Sequence, residues 1–154
     1  MKLYLMQHGE AVPKAQNPER PLSEQGRRDV MAMADFLCGA AIKPKHVVHS
    51  GKLRARETAE IVASQLAAAE TTAMKGMAPK DEVMPFADTV AAWTQDTIVT
   101  GHLPFLAKAA CLMLTGDEGH ASIRFTPGSV LCLEREADGP WQLGWMLRPE
   151  VLPR

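Results

Sequence analysis

Leu3-Tyr4-Leu5-Met6, followed at once by Gln7-His8-Gly9-Glu10, is the stretch on which the fold turns. A short unbroken apolar run that stops at polar residues and a glycine predicts a strand buried on both faces, as in a parallel sheet. The pattern recurs: Val47-Val48 predicts a second buried strand running into Ser50-Gly51, and Thr97 to Thr100 predicts a third ending at Gly101-His102. A helix follows each. Beyond the first strand, Pro13, Asn17, Pro18 and Pro21 mark a long irregular loop. Ser23 then offers an N-cap, with Glu24 on the positive end of the helix dipole. Val30, Met33, Ala34 and Leu37 recur at helical spacing, and Gly39 is the expected stop. A second helix is expected from about Leu53 to Ala69, burying Ala55, Ala59, Val62 and Leu66. Pro104 suits the first turn of another, which carries Leu106, Ala109, Ala110 and Met113 and closes at Gly116. The reading is strand–helix, three times.

The C-terminal part differs. Val130 to Arg135 and Trp141 to Arg148 flank Asp138-Gly139-Pro140, which predicts a hairpin. In its second arm Trp141, Leu143, Trp145 and Leu147 alternate with Gln142, Gly144, Met146 and Arg148, the period of an antiparallel strand with one covered face. The expected fold class is therefore α/β: a three-layer α/β/α sandwich, its central sheet mainly parallel with an antiparallel edge. Thr71 to Trp93 reads least clearly, as one loop and one helix of Val83, Val90 and Trp93 interrupted near Pro85.

Composition narrows the class of protein. The 154 residues suit one domain over 1–154, and 17 Lys+Arg against 18 Asp+Glu leave no polybasic stripe for nucleic acid or an anionic membrane. No stretch approaches the roughly 20 apolar residues that span a bilayer. Met1-Lys2 leads into only four apolar or aromatic residues before Gln7, so no secretory signal is expected. Three scattered cysteines, Cys38, Cys111 and Cys132, form neither a disulfide framework nor a metal motif and point to a reducing cytoplasm. Cys111 and Cys132 read as small buried hydrophobes.

In open α/β sheets, ligands collect at the carboxyl ends of the strands. Three polar groups fall there: Gln7-His8-Gly9-Glu10, Ser50-Gly51-Lys52-Leu53-Arg54, and Gly101-His102. Singly, His8 or His102 reads as a ring bonded to nearby backbone, and Arg54 as a solvated helix charge. Together they form a converging His–Arg–His set, with glycines that let a ligand approach the backbone. Helix N-termini and guanidinium forks both favour phosphate. His46 and His49, three apart on a strand, point to opposite faces and do not suit one metal.

Leu5-Met6-Gln7-His8-Gly9-Glu10, Arg20-Pro21-Leu22-Ser23, Ser50 through Ala59 and Val99-Thr100-Gly101-His102-Leu103-Pro104 resemble, in matching order, the histidine phosphatase superfamily. The short chain, Gly-His-Leu-Pro and the closing Trp141 to Leu152 resemble most the phosphohistidine phosphatases of the SixA type. The resemblance implies a phosphoglycerate-mutase-like sandwich in which His8 attacks phosphorus, carries the phosphoryl group covalently and gives it up to water. It also implies that Arg54 and His102 hold the phosphoryl oxygens, with no metal and no dissociable cofactor. Gln7 and Arg20 join them as phosphate-binding candidates. The implied substrate is phosphohistidine on a partner protein. The alternatives are a small phosphorylated metabolite, or a phosphate- or phosphoprotein-binding module with weak turnover.

Gln7 departs from the family pattern, where Arg precedes the histidine. Gln still donates hydrogen bonds but brings neither charge nor fork. Hydrogen bonds to charged groups are worth about 1.5–3 kcal/mol. Fully expressed in the transition state, that loss is roughly 10–150-fold in rate. Arg20, Lys52 and Arg56 are the cations available to compensate. A general acid, which an ester substrate would need, is sought among Glu10, Asp81 and Glu82.

Overall fold

The computed structural model describes residues 1–68, 70–120 and 122–153. Strands and helices alternate through β1 (Lys2–Gln7), α1 (Glu24–Gly39), β2 (His46–His49), α2 (Leu53–Gln65), β3 (Thr71–Ala73), α3 (Met84–Ala91), β4 (Thr97–Gly101) and α4 (Phe105–Thr115). β5 (Val130–Glu134), β6 (Gln142–Leu147) and a 3-10 turn at Pro149–Val151 complete the chain. The six strands form one sheet in the order β3-β2-β4-β1-β5-β6. β1 to β4 are mutually parallel, while β5 runs antiparallel to β1 and β6 antiparallel to β5. The mainly parallel sandwich with an antiparallel edge is what the sequence pattern predicts.

Period-2 alternation divides β1 between two cores. Leu3 and Leu5 pack with Val99, Phe86 and Val90 of α3, and Phe105, Leu106 and Ala109 of α4. Tyr4 and Met6 pack on the other face with Val30, Met33 and Leu37 of α1, and Ala59 and Val62 of α2. All four β1 residues are buried. Each large apolar side chain so placed contributes about 1.5–3 kcal/mol. These two cores hold the carboxyl ends of β1, β2 and β4 side by side.

Several boundaries differ from expectation. β3 lies in the segment read as loop; it is three residues long and pairs with β2 through Val47, Val48 and His49. It is too short for a periodic signal. Pro85 does not interrupt α3 but sits in its first turn, where its missing N–H costs nothing. Trp93 lies beyond that helix and packs edge-on against Phe86. α2 ends at Gln65, short of the expected Ala69, because Ala67 adopts φ +47°; Ala69 itself lies outside the described residues. α1 runs through Gly39, and the left-handed turn falls on Ala41 at φ +57°. In β6 the alternation does not produce a covered face. The register against β5 slips beside Cys132 and Leu133, so that Leu143 pairs Leu133 and Trp145 pairs Cys132. Gly144 is the extra residue of that bulge, and Leu143 is left 55% exposed. Cys111 and Cys132 are buried and Cys38 is exposed.

The start of α1 shapes the turn that follows β1. Ser23 caps the helix, its Oγ accepting from the Gly26 amide at 3.0 Å, while its own amide donates to the Glu10 carbonyl at 2.9 Å. A Cβ on Gly26 would lie 2.1 Å from that carbonyl oxygen. Only glycine allows this helix to rest directly on the His8-Gly9-Glu10 backbone.

Candidate active site

His8 leaves β1 with its amide donating to the Gly101 carbonyl at 3.0 Å, which ties it to the end of β4. Its ring Nδ1 lies 2.6 Å from the Gly9 carbonyl. A carbonyl only accepts, so Nδ1 carries the proton and Nε2 keeps its lone pair. Arg54 confirms this tautomer, donating from Nε to His8 Nε2 at 3.2 Å. Thr58, fully buried one turn further along α2, accepts from the Gly9 amide at 3.1 Å and donates to the Arg54 carbonyl at 2.8 Å. It joins the turn bearing the histidine to the helix bearing the arginine.

His102 faces His8 across the parallel strands, the ring centroids 5.1 Å apart. Ser50 Oγ lies 2.6 Å from His102 Nε2 and accepts weakly from the Lys52 amide at 3.4 Å. The hydroxyl, with one proton and two lone pairs, ties Nε2 to the start of α2 and leaves Nδ1 as the ring's other polar atom. That Nδ1 is buried and has no partner among the described residues, as is also true of Gln7 Oε1. Beside this cluster is an open hollow of about 370 Å³ lined by Pro18, Glu19, Gly51, Lys52, Arg54 and Arg56. A hollow of about 390 Å³ near His46 and Thr97 lies by the amino ends of β2 and β4 and holds no such convergence of groups.

Burial lowers the His8 pKa to about 4; the hydrogen bond to the Gly9 carbonyl opposes the shift, and Arg54 and Arg20 add to it. Burial likewise lowers His102 to about 3, with His8, Arg54, Lys52 and Arg20 pushing the same way. Both rings are thus neutral at pH 7, and the charges acting on them are cationic. Depressed histidine values mean that the unfolded chain binds more protons than the folded one. The associated stability is complete above about pH 6.5 and is lost as pH falls through the folded values. His8 ring resonances are expected to titrate near pH 4 by NMR. The unfolding midpoint should fall from pH 6.5 toward 4, and His8→Ala should flatten that slope. A titration midpoint near 6.5 would contradict this electrostatic picture.

The fold brings His8, Arg54 and His102 together, with Gln7 beside Gly101 in register. Arg20, at φ +51°, donates from Nε to the Val12 carbonyl at 3.2 Å and lies close enough to bear on both rings. Lys52 bears on His102. Arg56 instead pairs with Glu60 on the helix surface. The three acid candidates are placed differently. Glu10 accepts from the Ser23 hydroxyl at 2.7 Å and lines a separate hollow with Gln25, Arg28 and Glu150. Asp81 accepts from the Ala78 amide within its own turn, and Glu82 is exposed. None of the three has a hydrogen bond to His8 or His102 among the described residues. His46 bonds Gln95 at an exposed position, and His49 accepts from the Gly51 amide. Ser50 and Thr58 are the positioning residues that sequence reading did not assign. A buried threonine inside an amphipathic helix was the available signal for Thr58.

A neutral, oriented imidazole beside a guanidinium and a second neutral imidazole, at the carboxyl edge of a parallel α/β sheet, is a constellation chemically suited to a small oxyanion. The model of the histidine phosphatase superfamily (branch 1) matches residues 3–79. Phosphohistidine phosphatase SixA of Escherichia coli K12 is 24% identical over 155 residues, covering 97% of this chain and 94% of that one. An uncharacterized protein of a Picosynechococcus strain is 28% identical over 127 residues, covering 78% and 77%. The structure of the protein histidine phosphatase SixA complexed with tungstate superposes with a TM-score of 0.89 at 24% identity, covering 99% and 100% of the two chains. The chain belongs to the histidine phosphatase superfamily, and its class of activity is that of a phosphatase. No helix among the described residues is long and apolar enough to cross a membrane.

Proposed function

We propose that this chain, as one domain over 1–154, hydrolyses phosphohistidine on a partner protein through a phosphorylated His8, without a metal. The observation that carries the reading is the pair of bonds on the His8 ring: Nδ1–H held by the Gly9 carbonyl and Nε2 facing Arg54. Nε2 attacks phosphorus, the new N–P bond forming as the bond to the leaving group breaks. For this, Arg54 leaves Nε2 as the phosphoryl group enters and turns its fork onto the phosphoryl oxygens, joined by His102, and both offset charge there. In the second step water attacks the phosphorus, the His8 N–P bond breaks, and inorganic phosphate leaves.

The leaving group supports the substrate class. An alkoxide needs a proton donor in place, whereas imidazole is a far better leaving group. Glu10, Asp81 and Glu82 are each engaged or placed elsewhere, which favours the phosphoramidate over an ester. The open hollow beside Arg54 and Lys52 suits a side chain presented by another protein. Three unpaired cysteines suit a reducing cytoplasm. A second reading, a phosphoryl-binding module with slow turnover, rests on the uncharged Gln7.

Rapid mixing with a ³²P-phosphohistidine protein, an aryl phosphate and a small phosphorylated metabolite tests these readings together. Labelling of His8 and fast release from the phosphohistidine protein alone is the expected result. Labelling with slow release favours the binding module. Preference for the metabolite overturns the protein substrate.

A further inference from the structure

Gln7 ends β1 beside Gly101 of β4, and His8 and His102 follow the two paired residues. Its backbone is engaged on both sides: the amide donates to the Ser129 carbonyl at 3.0 Å and the carbonyl accepts from the Gly128 amide at 3.1 Å. The residue is 9% exposed, and Oε1 has no hydrogen-bond partner among the described residues. Buried polar atoms are rarely left unpaired, so an unpartnered amide oxygen on the residue before His8 is open to a ligand's donor.

A carboxamide always presents one acceptor atom and one donor group, whichever way it lies. A guanidinium presents donors only. A fully ionised phosphoryl group has only acceptor oxygens; it satisfies the amide nitrogen and sets the amide oxygen against negative charge. A phosphoryl group that retains one proton satisfies both ends. We infer that Gln7 is a specificity-determining residue, whose amide oxygen accepts the P–O–H hydrogen and tilts the pocket toward the singly protonated phosphoryl group over its dianion. This rests on the phosphoryl-pocket reading above and names the ionic form that the pocket takes.

The titratable groups around the paired ends of β1 and β4 are His8 and His102 themselves, with Arg54 and Arg20 acting on both rings and Lys52 on His102. Glu19 shares the mouth with Lys52 and Arg54. Burial keeps both histidines neutral well below pH 6 in the free protein, so neither ring changes charge between about pH 6 and 8 before an anion binds.

Calorimetric binding of methylphosphonate, which loses its last proton in the neutral range, and of sulfate, which carries none there, provides the test. The wild-type protein should bind methylphosphonate monoanion about tenfold more tightly than sulfate, and more weakly as the last proton leaves, about the effect of one hydrogen bond to an ionised group. Gln7→Met, close in shape and lacking the acceptor, should narrow that preference to about twofold. Gln7→Arg should reverse it in favour of sulfate and the dianion. If Gln7→Arg fails to fold, as thermal melting will show, Gln7→Met carries the test. Equal wild-type affinity for the two anions, or an unchanged preference in Gln7→Met, overturns the inference. Binding of neither anion by the wild type or by Gln7→Arg overturns the phosphoryl-pocket reading itself.

Discussion

Replacing His8 with alanine is expected to remove covalent labelling and lower kcat by at least about 10⁴-fold, because no other group can take its place in the two-step transfer. His102 is the nearest imidazole, but its Nε2 is engaged by Ser50 Oγ at 2.6 Å and its Nδ1 is buried. It lacks the backbone-held Nδ1–H that orients the His8 ring. The variant should fold, since the His8 backbone bond to Gly101 and the Gly9 bond to Thr58 do not depend on the imidazole. Single-turnover assay with the labelled phosphohistidine protein measures both quantities. Residual turnover above about one per cent of wild type would rule out His8 as the covalent carrier, whatever the fold.

The second large effect belongs to Arg54. Arg54→Ala is expected to lower kcat by about 10²–10³-fold, the usual consequence of removing one preorganised donor from developing negative charge. Arg54 also holds Nε2 of His8 at 3.2 Å in the free protein, so its loss leaves the nucleophile less well oriented. Arg54→Lys keeps the charge but loses the planar fork and should recover only part of the rate. Gln7 adds no charge here, which makes the site unusually dependent on Arg54. Steady-state kinetics of both variants, with melting curves to show that the fold is intact, checks the expectation. A loss smaller than about tenfold in Arg54→Ala would mean that Arg20 or Lys52 carries the phosphoryl oxygens instead.

Much of this is legible in the sequence alone. The apolar run Leu3 to Met6, the cap at Ser23 and the stop at Gly116 are local signals, written in side-chain period and turn chemistry, and each appears in the fold. His8, Arg54 and His102 could be named because each follows such a signal at a strand end or a helix start. β3 escaped notice because three residues carry no period, and the end of α2 because Ala67 adopts a left-handed turn that no residue type announces. The alternation in β6 misled because the bulge at Gly144 shifts the side chains relative to β5.

By itself, the sequence determined which residue types stand at the ends of the strands and which faces of the elements are apolar, since both follow from neighbours along the chain. Only the tertiary structure decided what those residues meet. The order β3-β2-β4-β1-β5-β6 sets β1 against β4 and so brings His8 to His102. It hands His102 to Ser50, ties Gly9 to Arg54 through Thr58, holds Glu10 at Ser23, and leaves Gln7 Oε1 buried without a partner. Hydrogen-bond partners, burial and the pKa values they set depend on groups distant in the chain. That is why the charge of each imidazole and the tautomer of His8 became readable only once the strands were placed.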